Sequence, residues 1–582
     1  MSLKGFFNSE QKNIKIAALI MMITVFLSRF LGLIRDRLLA GTFGASIDLD
    51  IYYAAFRFPD LIYSIIFAGG IIVAFLPIFS EYQKKDKPEA WKISNYLLNF
   101  FGIVYFVFFI VFFFFSPDFI NTLIGKFSFE YQAKAIILTR LIFIAVFFFG
   151  LSSIFSTILN YFQRFLIYSL APIFYNLGII LGTVFLSPYY GIFGPGIGVV
   201  AGAIMHFLIQ VPSAVNCGYR YQPILKLNHP AIRDFFQLVV PRIIASSSSQ
   251  INFLVATFIA SGIGIGAISV FNLSYNLSFL PIGILGVSFA TAVFPALSKL
   301  WVENNKTDFH LRFRESFLQV LYLAFPVGLL VFILRNQIVQ IIYQTGKFDE
   351  TAVAITAAAL GVYVLSLATQ CLVPILLRGF FSIKDTITPT IIAIFYMALN
   401  IFLFFPFVAL FGGGNVFLFD FFGREIILTL PAWINANNIL VVIIKQVFDI
   451  NGLVNFPLLG LVLVFNLCSI LEFTLLFIFL YKKIGDFGLK QIRESFSKIF
   501  LATIIMGLAG FGSLAMATRL FKNDFWGSIW QFVIVCVISM GAYLGITFMI
   551  KCSEADFVKK YFQKIKSKFI SQSIKENSQL KN

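Results

Sequence analysis

Apolar residues in this chain come in long blocks, not in alternation, and short polar clusters separate the blocks. A helix rises about 1.5 Å per residue, so roughly 20 apolar residues cross a bilayer core about 30 Å thick. Fourteen blocks reach that length, at 15–40, 50–81, 92–116, 135–160, 168–187, 191–215, 234–260, 265–297, 314–334, 351–378, 388–410, 452–481, 496–518 and 526–550. They are far longer than the roughly 10-residue alternating strands of a membrane barrel. The pattern predicts an all-α polytopic membrane protein with about 14 transmembrane helices. The first block runs into Arg29 and Arg35 without a small-residue cleavage site, so it reads as a helix and not as a removable leader.

Composition narrows the class. Of 582 residues, 59% are apolar, 12% are charged and 76 are Phe. Soluble domains carry about 25% charged residues, so separate soluble domains are excluded. The net charge of +17 does not point to nucleic acid, because the basic residues sit where the positive-inside rule puts them. Lys84, Lys85 and Lys87 mark one inside loop, and Lys482, Lys483, Lys490 and Arg493 mark another. The outer loop at 41–49 has no basic residue. Both termini are therefore expected in the cytoplasm, with the basic tail (Lys559, Lys560, Lys564, Lys566, Lys568) solvated or against lipid headgroups.

The five cysteines form no paired pattern and the three histidines are scattered, so no metal site is expected. No nucleotide loop, nucleophile elbow or zinc-protease motif is present, so no enzyme activity and no cofactor is expected. Any transport would draw on the membrane potential or a monovalent ion gradient.

An internal repeat is visible. Phe75-Leu76-Pro77-Ile78-Phe79-Ser80 resembles Val293-Phe294-Pro295-Ala296-Leu297-Ser298 at an offset of 218, and Pro172 matches Pro389 at 217. An even number of spans lies between the copies, so the repeat is parallel. The expected organisation is two pseudo-symmetric six-helix lobes, 1–230 and 231–486, a final pair of helices at 487–551 and a basic tail at 552–582. Two such lobes are a transporter plan. The stretch 411–451 stands apart as a long outer loop, read as one or two interfacial helices.

Charge at membrane depth is costly, so it is by default a functional hypothesis. The first two blocks hold Arg29, Arg35, Asp36, Arg37, Asp50, Arg57 and Asp60, and the rest hold little beyond Arg140, Arg242 and Glu472. Arg29 and Asp36 are seven apart and share a helix face. Asp50, Tyr53, Arg57, Asp60 and Ser64 form one polar stripe. Such a stripe faces a wet cavity, or its charges pair internally or snorkel. Arginines in a cavity suit an anionic group, because guanidinium matches phosphate as a planar fork. Farther on, Ser246–Ser249, Asn252, Asn272, Asn276 and Asn400 could line a cavity, coordinate an ion or join helices by hydrogen bonds. Gly191–Gly196 reads as a turn and close helix packing, not as a phosphate loop.

Ser28-Arg29-Phe30-Leu31-Gly32-Leu33-Ile34-Arg35-Asp36, Phe43-Gly44-Ala45, Asp50, Phe56-Arg57-Phe58-Pro59-Asp60 and Ala74-Phe75-Leu76-Pro77 together resemble the opening of the MurJ (MviN) lipid II flippases, of the multidrug/oligosaccharidyl-lipid/polysaccharide exporter superfamily. The likeness continues through Leu159-Asn160, Arg164-Phe165, Ala171-Pro172, Asn176-Leu177-Gly178, Gly283–Val287, Thr345-Gly346-Lys347-Phe348, Arg378–Phe381 and Asp385–Pro389. The resemblance implies a flippase that moves lipid II, the undecaprenyl-pyrophosphate-linked peptidoglycan precursor, across the bacterial cytoplasmic membrane by alternating access. The alternative is a flippase for another polyprenyl-linked oligosaccharide. It also implies a monomer among membrane lipids, with cell-wall synthesis proteins as neighbours.

By the same resemblance the essential helix-1 arginines are Arg29 and Arg35, with the acids Asp36 and Asp50, and Arg57 stands at an often basic position. Asp60 and Asn276 complete the expected substrate-binding set. This chain departs from the family pattern where Tyr63 and Ser64 replace a helix-2 arginine. Asn276 and Phe279 stand where a helix-8 Arg and acid are usual, and Ala68-Gly69 replaces Glu-Gly.

Overall fold

The computed structural model describes residues 14–68, 74–412, 415–420, 425–429, 446, 457–522 and 524–556. Helices dominate. In chain order they are α1 (Ile14–Phe43), α2 (Ile47–Tyr63), α3 (Leu76–Lys85), α4 (Lys87–Leu123), α5 (Phe129–Tyr161), α6 (Phe165–Leu181), α7 (Phe193–Leu208), α8 (Pro230–Ile263) and α9 (Ala267–Pro281). They continue with α10 (Ser288–Val302), α11 (Lys306–Ile333), α12 (Glu350–Tyr363), α13 (Leu367–Ser382), α14 (Ile387–Phe411), α15 (Pro457–Ile484), α16 (Leu489–Leu520) and α17 (Phe525–Met549).

Among the described residues, 11 helices are long and apolar enough to cross a membrane, against the 14 expected. The protein is a multi-pass helical membrane protein. The expected spans outside that count are the first, second and seventh, which carry most of the charges at membrane depth and the serine run. The basic tail beyond 556 lies outside the described residues.

Scarce acids and amides start many helices. Asp86 accepts from the Glu89 N–H at 3.2 Å, Asn305 from Asp308 at 3.1 Å, and Asp349 from Ala352 at 2.8 Å. Asp385 accepts from Thr388 at 3.1 Å and Asp524 from Gly527 at 2.6 Å. Each satisfies an N–H that the helix itself leaves open.

Three expected single spans contain π-helical turns. α2 passes into Ser64–Ala68, α6 into Gly182–Leu186, and α9 through Ile282–Val287 into α10. Ser64 and Ile282, which open the first and last of these turns, lie 218 apart, the spacing of the repeated Phe-Leu-Pro and Val-Phe-Pro segments. The loop at 411–451 corrects one expectation. Asn415–Asp420 (β1) pairs antiparallel with Glu425–Thr429 (β2), with a bulge between Leu418 and Asp420. β-branched and aromatic residues favour extended backbone over an interfacial helix there. The rest of that loop, residue 446 apart, lies outside the described residues.

The chain divides into two compact units. One is drawn from Met1–Leu273, Ile342–Thr356 and Ala393–Leu461, the other from Ser274–Ile341, Ala357–Ile392 and Val462–Asn582. The first unit has an aromatic core in which Phe67, Phe75, Phe79, Phe101, Tyr105, Phe143 and Phe235 are buried. Phe58 stacks on Phe112 at 3.8 Å between centroids. α6 and α7 meet backbone to backbone, because a Cβ on Gly178 would lie 2.5 Å from Gly202 Cα and one on Gly182 2.5 Å from the Gly194 carbonyl. This small-residue contact confirms the packing reading of the glycines. In the second unit α11 holds α17, with Tyr543 donating to the Tyr322 carbonyl at 2.8 Å and the Tyr322 and Thr547 hydroxyls 3.0 Å apart.

Candidate functional site

The charges of α1 converge on α6. Arg35 turns its guanidinium back on its neighbour, and Nε and Nη2 both donate to Asp36 Oδ1, at 2.9 and 2.8 Å. Nη1 donates to Asn176 Oδ1 at 3.1 Å. The Asn176 amide nitrogen in turn donates to the Ser28 carbonyl at 3.2 Å and to the Pro172 carbonyl at 3.2 Å. One asparagine thus ties two turns of α1 to α6 and orients the arginine. Asp36 is 3% exposed, whereas the Arg35 side chain keeps 23% exposure. Guanidinium has five N–H donors, so three such bonds leave capacity for an anion. Arg29 is half-buried on the same helix, about 9 Å of helix rise from Arg35.

The stripe on α2 is built differently. Asp50 is fully buried, and its carboxylate accepts from Gly266 N at 2.6 Å and from Ser269 N and Oγ at 2.7 and 2.5 Å. It therefore caps the start of α9. Around it, Gly44 (φ +70°) and Gly266 (φ +83°) allow turns too close for a side chain, since a Cβ on Gly266 would lie 2.5 Å from the Ala45 carbonyl. The Lys347 N–H donates to the Gly41 carbonyl at 2.8 Å, and Arg37 donates to the Ile342 carbonyl at 3.0 Å. Phe43-Gly44-Ala45 and Thr345-Gly346-Lys347, far apart in sequence, therefore form one junction.

Arg57 is 7% exposed, with Nε donating to Thr257 Oγ1 at 2.6 Å, Nη2 donating to Asn272 Oδ1, and its guanidinium carbon 5.4 Å from the centre of the Phe253 ring. Asp60, one turn on, is half-buried.

A family model for the lipid II flippase MurJ matches residues 39–416. A probable lipid II flippase MurJ of Buchnera aphidicola subsp. Acyrthosiphon pisum is 30% identical over 421 residues, covering 70% of this chain and 80% of the relative. The lipid II flippase MurJ of Burkholderia cenocepacia is 29% identical over 377 residues, covering 63% and 73%. A solved lipid II flippase MurJ in an inward closed conformation superposes with a TM-score of 0.71 at 27% identity, covering 91% of this chain and 98% of that one. An inward-facing multidrug transporter of the MATE family shares the fold at a TM-score of 0.58 and 14% identity. The chain belongs to the MurJ lipid II flippase family.

At Tyr63 and Ser64, where the resemblance implies a helix-2 arginine, the structure holds neutral groups. The Tyr63 hydroxyl lies 3.5 Å from Ser153 Oγ, and Ser64 donates to the Leu61 carbonyl at 3.0 Å. Asn276 is half-buried on the part of α9 assigned to the second compact unit, and the six charged candidates are assigned to the first. The Tyr53 hydroxyl and both polar atoms of Asn252 are among the buried polar groups of the first unit that have no hydrogen-bond partner among the described residues.

Sequence reasoning gave no weight to Asn176 as a site residue, nor to Thr257 as the partner of Arg57. Of the three roles open to Asn272, joining helices by hydrogen bonds is the one the structure shows, since it accepts from Arg57 and so ties α9 to α2. A buried amide in an apolar helix was the available signal for both asparagines, because such a group must find a bond.

Proposed function

We propose that this chain is a lipid II flippase that carries the undecaprenyl-pyrophosphate-linked peptidoglycan precursor from the inner to the outer leaflet of the bacterial cytoplasmic membrane. The observation that carries the reading is the Arg35–Asp36–Asn176 cluster with Arg29 above it, in a chain of this family. Arg29 and Arg35 would bind the pyrophosphate. Asp36 would hold Arg35 in place until the phosphate arrives and take it back when the headgroup leaves, so the arginine is never left unpaired at membrane depth. Arg57 and Asp50, already engaged, would support the site. Asp60 would face the headgroup's polar part.

The protein would work by alternating access, the repeat-related halves 1–230 and 231–486 rocking about the substrate, with both termini in the cytoplasm. Its energy would come from the membrane potential or a monovalent cation. The Asn252 amide and Asn400 Oδ1, buried and unpartnered among the described residues, are suited to such an ion. A second reading, transport of a different polyprenyl-linked glycan, is favoured by Tyr63, Ser64 and Asn276 at usually charged positions.

The experiment is complementation. A bacterium depleted of its lipid II flippase would express this chain, and lipid II at the outer leaflet would be scored with an external probe. Rescue that is lost with Arg29→Ala or Arg35→Ala at normal protein levels supports lipid II. No rescue with the protein in the membrane moves the assignment to another lipid-linked glycan.

A further inference from the structure

A groove with a volume of about 1110 Å³ opens on the first unit, and none of the charged residues of α1 and α2 lines it. Its walls are α4 from Leu98 to Phe109, α5 from Ile144 to Phe155, the end of α7, the short helix Val211–Asn216 and the irregular segment that follows it to Leu225. The lining is almost wholly apolar. Ile103 and Phe106 on its rim are 52% and 61% exposed, so the groove faces outward. The stretch of α4 that lines it rises about 16 Å, half of a hydrocarbon core roughly 30 Å thick. That is the depth of one leaflet.

One end is polar, and it is constructed. Asn95 and Asn99, one turn apart on α4, pin the segment 219–224 along the helix. Asn95 donates to the Arg220 carbonyl at 3.0 Å and accepts from the Tyr219 hydroxyl at 2.8 Å and the Gln222 N–H at 3.2 Å. Asn99 donates to the carbonyls of Gln222 and Ile224 at 2.9 and 2.8 Å and accepts from the Tyr221 hydroxyl at 3.1 Å. This holds Arg220 at the mouth. Its Nη1 donates to the Val215 and Tyr219 carbonyls at 3.4 and 3.2 Å, and its other guanidinium nitrogens have no partner among the described residues. The segment 217–229 carries Arg220 and Lys226 and no acid.

We propose that this groove is a binding site for a bilayer phospholipid with an anionic headgroup. One acyl chain lies among Phe106, Phe147 and Phe155, and the phosphate meets Arg220. The commitment to an anionic lipid rests on charge complementarity at the mouth and on the one-leaflet length of the apolar wall. It does not depend on which lipid-linked glycan the protein transports.

The test uses the full chain, purified in mild detergent and incubated with equal phosphatidylglycerol and phosphatidylcholine, with bound lipid read by native mass spectrometry. Phosphatidylglycerol should be retained about fivefold over phosphatidylcholine, the scale of one basic side chain at an anionic surface. Gly102→Leu should strip both lipids, because a Cβ at Gly102 meets nothing within 4 Å and the new side chain enters the groove. Arg220→Gln should bring the two lipids to parity without loss of total binding. Ile103→Trp repeats the blockade should Gly102→Leu fail to fold. Equal retention of the two lipids by the wild type would overturn the headgroup assignment. Undiminished retention in the folded blocking variants would overturn the site, and so would a groove filled by a prenyl chain or a protein helix.

Discussion

α1 and α2 carry the same chemistry, arginines and aspartates spaced along an apolar helix, and the structure uses them in opposite ways. On α1, Arg35 is held by Asp36 and Asn176 while its side chain stays 23% exposed, so it is oriented and still has donors to offer. On α2, the Asp50 carboxylate is spent on three bonds to the start of α9, and Arg57 is clamped by Thr257, Asn272 and the Phe253 ring. A charge at membrane depth thus marks either a site or a joint. What separates the two is whether local partners exhaust its hydrogen-bonding capacity.

The sharpest break of that contrast is Asp50→Ala. It strands two backbone N–H groups and a hydroxyl in a buried turn, at a cost of about 3 kcal/mol. Folded yield and thermal midpoint of the purified protein should fall together. A variant that folds normally but fails to transport would move Asp50 to the substrate side of the comparison.

Arg35→Lys tests the other side. Lysine keeps the charge and loses the fork, so flipping by the external-probe assay should drop about tenfold, with thermal stability changed by under 1 kcal/mol. Wild-type flipping in Arg35→Lys would rule out bidentate recognition there.

Gly150→Ala probes the support beneath the π-turn of α2. Its Cβ would lie 2.1 Å from the Phe67 ring, so overpacking should cost about 2 kcal/mol. Transport should fall more than the lost folded protein explains if the π-turn positions the α2 stripe. Loss in proportion to folded protein would make the turn passive.

The smallest effect lies outside the membrane. Burial opposes the charge of Asp385, yet bonds from Lys483 and Thr388 outweigh it and hold the carboxyl below the ordinary carboxylate range. A depressed carboxyl contributes stability at neutral pH that is lost as pH falls through its folded value, below about pH 4. Asp385→Asn should cost under about 1 kcal/mol at pH 7, because Lys483 is well exposed, and the gap from wild type should close in acid. A gap unchanged across that range would show that the cap is all the residue provides.

Much of the fold was legible because the physics is local. Residues 92–116 are an apolar run whatever lies around them, and the helix Lys87–Leu123 covers them. The exception, Asn415–Thr429, is a short apolar stretch where length could not separate strand from helix. The candidate site was half legible. Arg29, Arg35 and Asp36 announce themselves as charges in an apolar run. Asn176 does not, because its role depends on α6 meeting α1, a contact that no spacing within α6 encodes.

Composition, block length and the spacing of charges were enough to establish a polytopic helical membrane protein whose ionisable residues at membrane depth are concentrated in the first two helices. These follow from the cost of placing polar groups in hydrocarbon, which each segment meets alone. Whether a given charge serves a substrate or the architecture was decided only by tertiary structure. The partners of Asp50 and Arg57 come from residues about 200 positions away, and a hydrogen bond between distant segments exists only once the chain has brought them together.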